Sequence, residues 1–183
     1  KNGKPATKPV GLSVSVNYQM KTRSGALQRG DVSIGNAKAR IAGNYRAEGS
    51  DILVNWKLAA PNMPIDELIA MLPALDIVLP RGSSLQGGTA SADVVVEGST
   101  ARLVTSGSLA ARKTRLLGFD LGSRMNTVAK LTGIKVGPDT DFENVSANFR
   151  ADPAGVKIDA ISVIAPAIGD LDRKSTRLNS SHT

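Results

Sequence analysis

From Leu12 the chain alternates strictly. Leu12, Val14, Val16, Tyr18 and Met20 fall on one side, and Ser13, Ser15, Asn17 and Gln19 on the other. Successive side chains of a strand point to opposite faces, so this pattern specifies a half-buried β-strand and sets which face it buries. The same signal recurs along the chain. KTRSG at residues 21–25 supplies a turn; Leu27, Val32 and Ile34 mark a second strand with Gly30 as its bulge. Ala37, Ala39, Ile41 and Tyr45 mark a third, its ends loosened by Gly35 and Gly43. After AEGS, Ile52, Val54, Trp56 and Leu58 mark a fourth. Four strands joined by short turns form an antiparallel meander.

The stretch from Met63 to Gly88, MPIDELIAMLPALDIVLPRGSSLQGG, interrupts the alternation. Pro64 near a first helical position, with Asp66 and Glu67 in the first turn, suits a helix start. Ile65, Leu68, Ile69 and Leu72 then fall on one helical face, and Pro73 ends it. The glycines of GSSLQGG suit tight turns leading into a strand. Alternation resumes through Ala90, Ala92, Val94 and Val96, and then Leu103, Thr105, Gly107 and Leu109. A second helix is expected from Arg124 to Thr132, capped by Ser123 and stopped by Gly133. Two further strands follow, Phe142 to Arg150 and Val156 to Ile164, across the turn Asp152-Pro153-Ala154-Gly155. The fold class is mainly β with two short helices (α+β), built on antiparallel neighbours. Small and branched aliphatics with few aromatics line a broad smooth surface more readily than they fill a compact core.

The ends read differently. Residues 1–10 are polar with two prolines and read as a linker, and the chain opens on Lys1 without an initiator methionine, as a cut end would. From Asp172 the chain reads DRKSTRLNSSHT, without apolar periodicity. Its back-translation fits a sequencing adaptor read through in frame, so residues 172–183 are set aside from fold reasoning and the fragment is expected to stop near Leu171. Residues 11–171 are then one β-rich domain. The tail holds the sole histidine, His182, and there is no cysteine.

Charge follows the same division. Of the formal +7, the tail contributes a net +2 (Arg173, Lys174 and Arg177 against Asp172), and Lys1, Lys4 and Lys8 contribute three more; residues 9–171 keep only +2. The basic balance is an end effect. Three Phe, two Tyr and one Trp lie widely dispersed, unlike the stacking aromatics of a nucleic-acid surface, so no nucleic-acid partner is expected. No segment approaches the roughly 18 consecutive apolar residues of a membrane span.

Catalytic residue types are scarce. Without His or Cys in residues 1–171 the commonest general base, the thiol nucleophile and most zinc sites are missing. Asp66 and Glu67 are candidate paired carboxylates, for which helix-dipole compensation is the plainer account. Asp139, Asp141 and Glu143 alternate as calcium ligands would, yet lack the fuller ligand set of an EF-hand and read as a solvated turn. Ser83 and Ser84 have no base in any recognisable motif. Asn144-Val145-Ser146 matches a glycosylation sequon. Lys113 and Arg115 form a small basic edge, read as edge-strand protection or a solvated face ahead of lipid-headgroup binding. The reading is a non-enzyme with no cofactor and no metal site.

A family resemblance goes further. MPIDELIAMLPALDIVLPRGSSLQGG, then GTASADVVVEG, the strand LVTSGSLAA, and KTRLLGFDLGSRMNTVAKLTGIKVGPDT together resemble the C-terminal half of bacterial AsmA-family proteins, relatives of TamB. The match covers about residues 30–170, and its specificity lies in the order and spacing of motifs that are individually short. The chain departs from the family pattern after PAIGDL, where further glycine-rich strands usually follow. The resemblance implies an elongated, curved sheet whose apolar face holds phospholipid acyl chains. It implies a Gram-negative cell-envelope protein with periplasmic bulk, held in the inner membrane by an N-terminal helix outside this sequence and acting in lipid transport and outer-membrane biogenesis. Groove candidates under that implication are Val14, Val16, Val54, Trp56, Val94 and Val96, each of which could instead face the protein's own helices. An assembly factor offering sheet edges to outer-membrane proteins, and a purely structural β module, are the alternative readings.

Overall fold

The alternation of the strands is realised as one continuous antiparallel sheet. The computed structural model describes residues 5–74, 78–119 and 138–166, together with the backbone of residues 169–173 and 176–178. Its strands are β1 (Val10–Gln19), β2 (Ser24–Ile34), β3 (Ala37–Glu48), β4 (Asp51–Pro64), β5 (Ser84–Gln86), β6 (Thr89–Ser99), β7 (Arg102–Leu117), β8 (Thr140–Asp152), β9 (Gly155–Ala165), β10 (Gly169–Arg173) and β11 (Thr176–Leu178). They pair in the order β1-β2-β3-β4-β6-β7-β8-β9-β10, with β5 added on β7 and β11 on β9. The order does not close on itself, so the sheet is open and not a barrel.

The expected meander is present, and its strands are longer than the alternation alone suggested. β4 runs through Pro61 to Pro64, and β7 continues to Leu117. The bulge expected at Gly30 lies immediately before it: Leu27 opposes Gly43 while Gly30 opposes Ile41, so β2 carries one extra residue between them. Gly43 is not at a strand end but inside β3, opposite Trp56. The sheet also runs beyond Leu171, since β10 pairs Asp172 and Arg173 with Ser162 and Ile161.

Helix α1 (Ile65–Leu68) starts after Pro64, as expected, and passes into a 3-10 turn over Ile69–Met71. A helical segment this short does not persist by itself in water. It is held by packing: Ala70 is buried against Ile34 and Ala37, flanked by Met63, Leu68 and Met71. The face in use thus centres on Ala70 and Met71 as well as Ile65 and Leu68. The second expected helix, Arg124 to Thr132, lies outside the described residues.

Directly opposed residues of an antiparallel pair share a face, so the register can be followed across the whole sheet. Val14 opposes Gly30, which opposes Ile41, then Leu58, Val94, Gly107 and Phe149. Tyr18, Gly25, Tyr45 and Val54 form a second such row, and Leu109, Ala92 and Ala147 belong to a third. One face is therefore apolar from β1 to β9. The other carries mostly Ser, Asn, Lys, Arg, Asp and Glu, with Leu53, Val95 and Val104 scattered among them.

Candidate functional site: an uncovered apolar sheet face

The apolar face is mostly uncovered. Among the described residues only eight hydrophobic side chains are buried, half of them alanines, which is too few for a conventional core under a sheet of this size. Thirteen large hydrophobics are exposed, and ten of them lie on this one face: Val10, Leu12, Val14, Val16, Tyr18, Ile52, Trp56, Leu103, Leu109 and Val156. Soluble monomers scatter such residues singly, and a contiguous patch marks a surface that something else covers.

At the α1 end the face encloses a hollow of about 630 Å³. Its floor is built from small side chains, Ala37, Ala39, Ala60, Ala90, Ala92, Ala111 and Ala147, between Val32, Leu58, Leu109 and Val145. Leu68, Met71 and Leu72 form the wall and Met63 the corner. Ser33, Ser91 and Ser146 also border it, but from the opposite pleat parity. No lining residue carries an ionisable group. Alanine on the floor is what leaves the space: larger residues at these positions would bring the floor up to the helix.

The wall is tied down by polar contacts at both ends. Asp66 Oδ1 accepts the Gly87 N–H at 2.9 Å, and Gly88 O accepts the Ile65 N–H at 3.2 Å. Glu67 forms an ion pair with Lys8 at 2.5 Å, and Ala70 O accepts the Thr7 N–H at 3.0 Å. The Lys8 hydrogen bond and the Asn36 backbone N–H hold the Glu67 carboxyl below its ordinary value. Gly35 is required here, because it has a φ of 54° and a Cβ would sit inside the Glu67 carboxylate. Asp66 and Glu67 are therefore fasteners between α1 and three loops, a role the helix-dipole account missed. Nothing in the local sequence signals it, since the partners lie up to 59 residues away.

The six groove candidates share the apolar face but none lines the hollow. Val14 and Val16 are half exposed on β1, Trp56 is 36% exposed, and Val94 and Val96 are half-buried. Val54, directly opposite Tyr45, is buried at 7%. The bulky residues identify the face. The alanines of the same alternating pattern identify the hollow, and selecting for size passes over them.

Tyr45 and Trp56 on this face lie close over glycines, Gly25 and Gly43. Tyr18 and Tyr45 flank Gly25 and stack with centroids 6.3 Å apart and planes 7° from parallel. Trp56 opposes Gly43, and Phe149 opposes Gly107. A glycine gives a large ring room to lie along the sheet instead of standing out of it.

The remaining candidates are occupied otherwise. Asp139 Oδ1 accepts the Gly118 N–H at 2.9 Å, and Asp141 pairs with Arg115 at 2.5 Å, raising the guanidinium further. No group of three or more metal-ligating side chains occurs among the described residues. Arg115 and Lys113 lie on β7, which has neighbours on both sides, so edge protection is not their role. Ser83 donates to Pro80 O at 2.7 Å, closing a turn. Asn144 of the sequon sits inside β8, paired on both sides. Gly82, Gly87 and Gly88 have φ of 78°, 64° and 77°, so GSSLQGG is the tight-turn segment expected, with the short β5 within it.

No helix among the described residues is long and apolar enough to cross a membrane. Comparison with known protein families, with curated proteins and with solved structures finds no match to this chain.

Proposed function

We propose that this chain is a non-catalytic cell-envelope protein whose apolar sheet face holds phospholipid acyl chains. The observation that carries the reading is the face itself: apolar in register across eight strands, uncovered over most of its extent, and hollowed over an alanine floor. Such a surface is unfavourable in water, and an acyl chain laid along it supplies the missing half of the core. The hollow reaches from β2 to β8, six adjacent strands, or roughly 24 Å at ~4.8 Å per strand spacing. A fatty chain of ordinary length fits that span. At ~0.8 kcal/mol per buried methylene, ten methylenes supply about 8 kcal/mol before the cost of ordering the chain. The AsmA resemblance adds the setting: periplasmic bulk, an inner-membrane anchor, and phospholipid carried between the inner and outer membranes.

Trp56 is the sole tryptophan and lies on the apolar face, which makes it a direct reporter. Phospholipid brominated along one acyl chain should quench its emission, whereas the same lipid with unbrominated chains should not. Mass spectrometry of a solvent extract from the purified chain should find phospholipid released with it. Absence of lipid in the extract together with unquenched Trp56 would rule the reading out.

A further inference from the structure

We propose that β1 pairs antiparallel with β1 of a second copy of this chain, joining the two sheets edge to edge about a two-fold axis. β1 is the terminal strand of the sheet, and all ten of its residues, VGLSVSVNYQ, are exposed. Its outer backbone groups have no neighbour among the described strands. Free edges are normally protected by charge, proline or brevity. β1 has no charged residue and no proline over ten positions.

Thr7 bonds to Ala70 and Lys8 to Glu67, so these two residues head toward α1 and do not fold back beside β1. A second copy fits this edge because β1 is self-complementary. Opposed residues share a face, so the apolar faces of the two copies become continuous only in registers that pair even-numbered with even-numbered positions. Centring the two-fold axis on Val14 pairs Val14 with Val14, Leu12 with Val16 and Val10 with Tyr18. All five apolar residues of β1 then find apolar partners, and Ser13 faces Ser15 on the polar side. Centring on Ser15 leaves Val10 opposite Met20, beyond the strand end. The interface is isologous and closes at two copies. It goes beyond lipid holding and does not depend on it, although each copy's apolar face would then run on into the other's.

The test uses the whole chain in analytical ultracentrifugation and light scattering over a concentration series. Wild type should be a reversible dimer. Ser13→Asp with Ser15→Asp sets like charges opposite one another twice and should weaken the dimer about tenfold or more. Ser13→Lys with Ser15→Asp sets opposite charges at the same two places and should restore it. Both pairs of changes are on exposed polar positions, and circular dichroism checks that the sheet persists. The chain is free of cysteine, so Val14→Cys gives an independent reading: oxidation should link copies covalently through this one position. A wild type that stays monomeric, a dimer indifferent to both charge variants, or open-ended polymers would each overturn the proposal.

Discussion

Leu109 tests the acyl-chain reading most sharply. It lies on the floor of the hollow between Ala92 and Ala147 and is 49% exposed, so a ligand, and not the protein, would complete its burial. Covering the exposed half of a leucine is worth about 1 kcal/mol, taking ~1.5–3 kcal/mol for complete burial. Leu109→Asp removes that gain and adds a carboxylate that must be neutralised under the acyl chain. From an ordinary value near ~3.9, taking up a proton at pH 7 costs about 4 kcal/mol, at ~1.36 kcal/mol per pH unit. The combined loss of about 5 kcal/mol exceeds a thousandfold in affinity. The sign of its pH dependence is fixed: the neutral acid is the binding form, so lowering the pH from 7 to 5 returns about 3 kcal/mol, roughly a hundredfold. Ser106→Asp is the control. It lies on the same strand but the opposite face, across from Arg150, and should leave binding unchanged. Titration of the delipidated chain with a fluorescent phospholipid, read at pH 7 and pH 5, gives all four affinities. Equal loss in both variants, or no recovery of Leu109→Asp at pH 5, would refute acyl binding over this floor.

Two further expectations concern what holds the sheet in shape. Hydrogen bonds from Ser99 and Thr100, with the Ile52 N–H, hold the Asp51 carboxyl down to about 2 from its ordinary 3.8, tying the β3–β4 turn to the β6–β7 turn. A lowered carboxylate contributes fully above its ordinary value and loses that contribution as pH falls through the lowered one, so the Tm gap between wild type and Asp51→Ala should hold above pH 4 and close towards pH 2; a gap independent of pH counts against the tie. Gly43→Ala places a Cβ 2.7 Å from the Trp56 Cα and against the Asn55 carbonyl, which should cost about 1–3 kcal/mol and lower Tm by several degrees. Trp56 emission should shift with it, and an unchanged Tm and spectrum would show that the approach of β3 to β4 is not tight there.

Much of the fold was legible because alternation is local. A nine-residue run such as Leu12–Met20 defines a strand and its buried face without reference to anything distant, and turn segments such as Asp152–Gly155 close on themselves, with Asp152 accepting the Ala154 N–H at 2.8 Å. The helix at Ile65 was legible for the same reason. The length of β4 was not, since Pro61 reads as a stop, yet it falls where the β4–β6 register shifts and no regular ladder bond is needed. The hollow was only half legible. Alternation put Ala90 and Ala92 on the right face, but the space above them depends on α1 crossing the sheet, and that depends on Asp66 and Glu67 reaching Gly87 and Lys8. Those contacts join distant parts of the chain and leave no periodic trace.

The places where alternation breaks carry the strongest argument about the face. Apolar parity slips from Leu27 to Gly30 in β2, from Ala60 to Met63 in β4 and from Ile158 to Ile161 in β9. Read as straight strands, each slip would send every later apolar side chain to the opposite face. At each one the structure has a register shift that absorbs a single extra residue. Asn62 and Ala160 take left-handed φ of 49° and 51° at two of them, and the Asn62 N–H turns to Ser91 Oγ at 3.0 Å. A bulge gives up regular ladder bonding and, at Ala160, places a side chain in a backbone region that disfavours it. An unbulged ladder would avoid both costs if either face served equally well. The register instead follows the apolar side chains through these three slips, so keeping them on one face outweighs the local cost, even though the protein itself covers so little of that face.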